Sequence, residues 1–461
     1  MENEAHIIEE SEMDLRGFSS ADETGQVFVY KDKLLRGIWP SQVEHVRNLF
    51  KSKIMDALIQ EKLIVEMKIT SYQTAKFPLI IESKRIFPVT FAMEWSFDML
   101  KDAALLLLRL ESCLNQYGYT LKDWHADNIV FSEGEPVFVD LGSIVPFSGA
   151  PNRFGNTYYC KWVLPIAMMT HSDAIARIIL LASTYIDANN VIRLYYGSGC
   201  IGKALANCWR VHFYLERAYF YRKLAGKYYE WKISSCKAPA KSTWSNYQNK
   251  DYPMDIFQLC NQEKKSYPHG FERFEKVVDV IKELPIDSVL EFGGNAGFLC
   301  MILSRFLKIK NYISTDYDAY AVNMLYNVIK KYKSQYPFLS KITPAVVDFT
   351  LVYKRSYQMP DFEERWKADL VLAMALTHHL LLSQYLNIDA MFERLARCTN
   401  RYLLIEFMPL GLWDGENAPE LPSWYTLLWF QSHMEKLFTV LLVQQMEKNR
   451  IMLLGELISK E

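Results

Sequence analysis

Three carboxylates and a glycine turn are the residues of this chain whose types and spacing most directly allow chemistry. In "DSVLEFGGNAGF", Asp287 to Phe298, an apolar run through Val289 and Leu290 ends in Glu291 and then turns through Gly293, Gly294, Asn295 and Gly297. "FLCMILSRFL" follows from Phe298 with the apolar spacing of a helix. A strand, a glycine turn and a helix make a ligand cradle, because glycine adopts positive φ and lets the backbone approach closely. Two more acids fall in runs that read as strands: Asp316 ends "NYISTD", nineteen residues after Gly297, and Asp348 lies in "PAVVDFT". An acid at the second strand tip can accept bonds from both ribose hydroxyls, and one at the third can accept from an adenine amino group. Each acid taken singly would better suit a helix cap or a solvated strand end; three at successive strand tips beside a glycine turn shift the balance to a ligand site.

The turn chemistry narrows the ligand. A dinucleotide fingerprint would need glycine where Asn295 and Phe298 stand, and no Gly-Lys-Ser/Thr follows as in a phosphate loop. An acid at the strand tip suits a cationic ligand, and S-adenosylmethionine carries both an ammonium and a sulfonium. Downstream, "ADLVLAMAL" is a near-continuous apolar strand leading to Thr377, His378 and His379, and "RYLLIEFMP" is a fifth strand with Glu406 near its end. Helical patterns at Ala321 to Tyr332 and Leu386 to Ala396 alternate with these strands. A doubly wound α/β sheet with ligands at the carboxyl ends of its strands follows.

From about Phe271 onward the chain resembles a class I S-adenosylmethionine-dependent methyltransferase with a Rossmann-like fold. Glu291, Gly293 and Gly297 match the first motif, Asp316 the ribose acid and Asp348 the adenine acid. Asn295 departs from the commoner glycine or cysteine. The resemblance implies a cofactor site formed by Glu291, Gly293, Gly294, Asn295, Gly297, Phe298, Asp316, Tyr317, Asp348 and Phe349. The acceptor side falls after the fourth and fifth strands, where histidine is the natural general base. His378 is preferred over His379, and Glu406 could orient a histidine or simply bond backbone amides. If this segment is helical, the two adjacent rings diverge by ~100° and only one faces the site.

A second constellation lies upstream. In "GYTLKDWHADNIVF…GEPVFVDLGS", Asp123 and Asn128 are spaced D-x-x-x-x-N, and Asp140 opens Asp-Leu-Gly after a "PVFV" strand. A carboxylate that takes a nucleophile's proton, with an amide and a carboxylate that hold magnesium, is the order of protein kinases. "DMLKDAALLLLRLESCL" occupies the place of the helix that precedes the kinase catalytic loop. The hairpin-like "VFVYKDKLLRGI" offers Arg36 or Lys33 for phosphate pairing but no Gly-rich loop. A degenerate kinase-like domain is the favoured reading over ATP- and magnesium-dependent phosphotransfer, and a coincidence of turn-forming Asp and Asn also accounts for the pattern. No dedicated metal site is expected.

These parts imply an α+β kinase-like domain over 1–150, a helical connector over 151–250 and a methyltransferase domain over 251–461. Within the connector, the aromatic, basic run Cys208 to Lys232 reads as a packed helix or as a wall for a planar or sugar acceptor. The polar stretch Lys237 to Pro253 reads as the connection onward. Tyr119–Phe131, Pro136–Ile144, Trp162–Met168, Ala373–Leu382 and Leu404–Pro409 together are similar to bacterial methyltransferases grouped with rhizobial nodulation host-specificity proteins. That resemblance implies a methyltransferase in a carbohydrate- or envelope-linked setting, and the leading reading is methylation of an oxygen, ahead of a nitrogen, of a saccharide, glycan or other polar small molecule. A bifunctional kinase–methyltransferase and a non-catalytic scaffold are the alternatives.

Composition bounds the remainder. The chain has 461 residues, 50% of them apolar, with 52 basic and 53 acidic residues and a net charge of −1. That balance calls for no nucleic-acid partner. Cys113, Cys160, Cys200, Cys208, Cys236, Cys260, Cys300 and Cys398 form no C-x-x-C pair and read as reduced core thiols. An acidic N-terminus and the lack of a long apolar run imply a cytoplasmic protein without a transmembrane segment.

Overall fold

The computed structural model describes residues 6–15, 22–147, 157–173, 219–239, 273–351, 361–413, 416–417 and 419–459, with isolated positions 176–177, 180, 200 and 204. Cys208, Cys260, most of the Lys237 to Pro253 connection and the first half of the Cys208 to Lys232 run lie outside them. The chain divides into two compact units. One holds Met1–Met93, Phe97–Pro239 and Ser356–Met359; the other holds Glu94–Ser96, Ala240–Arg355 and Pro360–Glu461.

In the first unit, β1 (Gly25–Tyr30) and β2 (Lys33–Ile38) form a hairpin whose two turn residues, Lys31 and Asp32, have φ of +46° and +66°. Two positive φ values in a two-residue loop match the right-handed twist of the strands. After α1 (Val43–Lys51) and α2 (Ile54–Gln60), β3 (Met67–Ile69) and β4 (Leu79–Ser83) complete an antiparallel sheet of order β1-β2-β4-β3. The long helix α3 (Phe97–Gln116) buries Leu100, Ala103, Leu107, Leu110 and Leu114 along one stripe. Buried Glu111 on that helix accepts from Thr120 Oγ1 at 2.8 Å and from the Leu121 amide at 3.1 Å. That pins β5 (Tyr119–Leu121), which pairs with β8 (Ile144–Pro146); β6 (Ile129–Ser132) and β7 (Glu135–Phe138) make a hairpin between them.

The expected boundary at 150 is not where this unit ends: the described residues of the connector belong to it. Tyr158 Oη donates to the Ala104 carbonyl at 2.8 Å, and Trp162 Nε1 donates to the Trp124 carbonyl at 2.8 Å. The described part of the aromatic run is a helix, Tyr219–Ser235, whose Tyr229 is fully buried against the Tyr158 ring. Packing by that side chain fits the first of the two readings of the run, while Tyr228 and Trp231 remain exposed.

The second unit is a seven-stranded sheet. Its described part begins with α4 (Arg273–Ile281), β9 (Ser288–Phe292), α5 (Phe298–Phe306), β10 (Asn311–Asp316), α6 (Ala319–Tyr332) and β11 (Ile342–Val346). It continues through α7 (Phe362–Arg365), β12 (Ala368–Ala373), α8 (Ile388–Cys398), β13 (Thr399–Phe407) and α9 (Leu427–Met434). The hairpin β14 (Phe438–Glu447) and β15 (Arg450–Leu457) closes the unit. Strand order is β11-β10-β9-β12-β13-β15-β14; the first five are parallel, and β15 runs antiparallel between β13 and β14. Order reverses between β9 and β12, which makes their carboxyl ends a switch point. Apolar side chains fill both faces: Val277, Leu299, Ile302 and Leu325 belong to one cluster, and Phe362, Phe392, Leu395 and Phe430 to the other. Among the described residues, no helix is long and apolar enough to cross a membrane.

Gly297 opens α5 at φ +72°, and a Cβ there would lie 2.5 Å from the buried Leu325 side chain. Gly297→Ala combines left-handed strain with a clash and is expected to cost about 1–3 kcal/mol of unfolding free energy. Urea unfolding of the variant checks this.

Candidate functional site

The glycine turn sits at the switch point and is built from the backbone outward. Gly293, Asn295 and Gly297 all have positive φ, at +70°, +50° and +72°. Asn295 tolerates this region better than most residues because its side chain bonds locally, here with Oδ1 2.8 Å from the Ala296 amide. Gly294 is required for a different reason. A Cβ there would meet Ser314 Oγ at 2.4 Å and Glu291 Oε2 at 2.5 Å. The Glu291 carboxylate therefore lies directly beneath the turn, 3% exposed, accepting from Ser314 Oγ at 2.8 Å and bonded to the Cys300 thiol. Burial raises its pKa, and the two hydrogen bonds oppose that rise.

Asp316 couples the turn to the second strand. Its Oδ2 accepts from the Asn295 amide at 2.8 Å, and its Oδ1 from the Asp318 amide at 2.9 Å. Asp318 in turn caps α6 by accepting from the Tyr320 amide at 2.9 Å and the Ala321 amide at 3.3 Å. Only 7% of Asp316 is exposed, and desolvation pushes its pKa up to about 6, against those backbone donors. Tyr317, between the two acids, is 47% exposed.

Asp348 lies two residues beyond the end of β11 rather than at its tip. Its Oδ1 accepts from the Thr350 amide at 2.8 Å and from Thr350 Oγ1 at 2.6 Å, a local turn that competes with the ladder and stops the strand. The next residue, Phe349, is buried edge-on against Phe292 with ring centroids 5.0 Å apart. Arg394 of α8 clamps this loop: its guanidinium donates to the carbonyls of Phe349 and Leu351, pairs with Glu363 and lies 5.4 Å from the Phe349 ring centroid.

The acceptor-side residues form a separate buried group in the same unit. Glu406, fully buried, accepts on Oε2 from the Ala375 amide at 2.8 Å and from Arg450 Nη1 at 2.7 Å; its Oε1 has no partner. Thr377 Oγ1 donates to the Glu406 carbonyl at 2.7 Å. His378 is 6% exposed with an unpartnered Nδ1. Burial, then repulsion from His379 and Arg450, pushes its imidazole down to about 3, and burial also lowers His379. The two rings do not diverge as an α-helical spacing predicts. A π-helical turn, His379–Ser383, starts here, and the ring centroids are 4.1 Å apart. Arg450 escapes a reading built on five strands, because it comes from the antiparallel hairpin. The apolar run Thr439–Val443 and the run Ile451–Leu454, separated by charged and polar residues, were its only signal.

The first unit gathers Asn128 and Asp140 but closes around them. Asp140 accepts from the Gly142 amide at 3.1 Å, from Ser143 Oγ at 2.5 Å and from Arg36 Nη2 at 3.2 Å, while Arg36 also pairs with Asp22. Arg36, not Lys33, is thus the cation facing Asp140; Lys33 bonds Tyr72 and Glu82 instead. Asn128 Nδ2 donates to Ser143 Oγ at 3.4 Å. Asp123 lies partly buried between β5 and the turn Ala126–Asn128, and the neighbouring His125 contacts Lys161. Among the described residues, no group of three or more His, Cys, Asp or Glu is placed to hold a metal ion.

No protein-family model matches the chain. Over 161 residues it is 27% identical to nodulation protein NoeA of Rhizobium meliloti (strain 1021), a stretch that is 34% of this chain and 33% of that protein. The chain thus spans about a third of the length of the curated relative it matches. Among solved structures, it aligns with a SAM-dependent methyltransferase from Aquifex aeolicus at 19% identity and a TM-score of 0.31, over 45% of this chain and 98% of that one. It also aligns with the N-methyltransferase NodS from Bradyrhizobium japonicum WM9 at 11% identity and a TM-score of 0.30, over 41% and 96%.

A histidine held at about 3 while the unfolded chain titrates near 6.5 contributes stability that is complete above 6.5 and is lost as pH falls toward 3. His378→Asn should therefore flatten the pH dependence of unfolding on the acid side of 6.5. Parallel curves for the variant and the parent protein would contradict the burial of a neutral imidazole.

Proposed function

We propose that this protein is an S-adenosylmethionine-dependent methyltransferase acting on an oxygen of a polar small-molecule acceptor, such as a saccharide or glycan. The observation that carries the reading is the linkage at the switch point. A glycine turn with three positive-φ residues is gripped by Asp316, and Asp348 follows the next strand. A nucleoside laid across these strand ends would offer ribose hydroxyls to Asp316 and its amino group to Asp348, with Tyr317 and Phe349 beside them. Gly293, Gly294, Asn295, Gly297 and Phe298 would line the methionine end, with Glu291 supplying negative potential from beneath. The partial identity to a nodulation protein agrees with the resemblance read from the motifs, which is what suggests the carbohydrate-linked acceptor.

On the acceptor side, His378 is neutral across the working pH range and suits hydrogen-bond orientation of the nucleophile. His379 touches it and is the better-matched proton acceptor of the two. Glu406 orients the segment through the Ala375 amide. For the first unit, we read a kinase-like domain without phosphotransfer. The supporting observation is that Arg36 neutralises Asp140, the carboxylate a magnesium ion would need.

Calorimetric titration with S-adenosylhomocysteine tests the cofactor. Binding is expected, and Asp316→Ala should weaken it by about 1–3 kcal/mol through lost charge-assisted bonds. Because the ionised Asp316 is the better acceptor for ribose hydroxyls, affinity should rise as pH rises through about 6. A protein that ignores S-adenosylhomocysteine and ATP with magnesium alike would favour the scaffold reading instead.

A further inference from the structure

The segment that follows β13 presents aromatic rings to solvent on a fixed base. Trp424 is 44% exposed, and Leu428, in the first turn of α9, is 79% exposed. Trp429 is half-buried, its ring centroid 4.6 Å from that of Trp424 and the two indoles tilted by 55°. Tyr425 contacts both indoles, at 5.8 Å and 6.3 Å, and is itself buried, its hydroxyl without a partner among the described residues. Local hydrogen bonds hold the indoles in place. Thr426 Oγ1 caps α9 by accepting from the Trp429 amide at 3.2 Å, and the Trp429 carbonyl accepts from Ser432 Oγ and His433 Nδ1, each at 2.8 Å. On the core side of α9, Phe430 is fully buried, its ring centroid 5.2 Å from that of Phe392 and 5.1 Å from that of Phe407.

Packing sets these rings beside the acceptor-side residues. Phe407, next in the chain after Glu406, lies against Tyr425 with ring centroids 5.0 Å apart. A Cβ on Gly411 would lie 2.6 Å from Leu421 and 2.8 Å from Leu382, so the loop that leads to Trp424 rests on the π-helical turn that begins at His379. Charge restricts what such a surface can take. From Met408 to Glu435 the sequence holds Asp414, Glu416, Glu420 and Glu435 and no Lys or Arg. A segment of that charge repels phosphates, nucleic acid and an anionic lipid surface. A fixed indole face without cations suits the C–H face of a neutral pyranose, whose hydroxyls can bond to carboxylates and to a tyrosine hydroxyl. We propose that Trp424 and Trp429 form a stacking platform for a neutral saccharide ring. The inference deepens the acceptor reading above: it rests on the methyltransferase reading for the role of that sugar as acceptor, and not for its binding.

The experiment titrates the full chain with a panel of tetrasaccharides of neutral hexoses and N-acetylhexosamines, with and without S-adenosylhomocysteine, and reads binding by calorimetry and tryptophan fluorescence. Choline and phosphatidylglycerol vesicles are the competing probes. Trp424→Ala removes an exposed ring and spares the core, Trp424→Phe keeps an aromatic face, and Trp231→Ala removes an exposed indole of the first unit as a control. At least one tetrasaccharide is expected to bind, with affinity about tenfold lower in Trp424→Ala, mostly recovered in Trp424→Phe and unchanged in Trp231→Ala. Affinity for S-adenosylhomocysteine should be the same in all three variants. Tetrasaccharide binding that Trp424→Ala leaves intact overturns the platform, and so does binding of choline or vesicles that the same variant abolishes. A protein that binds S-adenosylhomocysteine but no tetrasaccharide overturns the platform and leaves the methyltransferase reading. Tetrasaccharide binding that depends on Trp424, in a protein that ignores S-adenosylhomocysteine, sinks the methyltransferase reading and leaves the platform standing.

Discussion

The second unit depends on one desolvated carboxylate. Asp316 ends β10 and spends its two oxygens on backbone amides, one in the glycine turn after β9 and one in the turn that starts α6. Two amides aimed at one anion lock the relative positions of two strands, two helices and the loop between them. Burial raises the acid's pKa, so the charge is kept only because those donors face it. Glu291 is a second buried carboxylate beneath the turn, held by the Ser314 hydroxyl and the Cys300 thiol instead of backbone amides. It fills the space under Gly294 that any side chain there would need.

Around that linkage the sheet separates two kinds of chemistry. The β9–β10–β11 ends carry acids whose oxygens face backbone amides and hydroxyls, an arrangement for a fixed ligand held by many weak bonds. At the β12–β13 ends, the buried Glu406 Oε1 and His378 Nδ1 have no partner, although Arg450 from β15 bonds the other Glu406 oxygen.

The first unit shows how little a motif settles without its partners. The spacing of Asp123, Asn128 and Asp140 was readable, and Asn128 and Asp140 do come together through Ser143. Arg36 arrives from β2, more than a hundred residues away, and occupies the carboxylate. That contact depends on sheet pairing, and no local pattern encodes it.

Much of the second unit was determined by the sequence alone. Five apolar runs, each closed by a polar residue, define the parallel strands, because a buried strand needs continuous apolar side chains and a strand end does not. The glycine turn declares itself because three glycines within five residues follow an apolar run and lead into a helical pattern; that Gly294 leaves room for Glu291 emerges only from the packing. The tertiary structure alone decided which side chains lose water. It ended β11 short of Asp348, brought the two histidine rings together through a π-helical turn, and returned an antiparallel hairpin that set Arg450 against Glu406. Burial and long-range pairing are properties of the packed chain, and no window of neighbouring residues contains them.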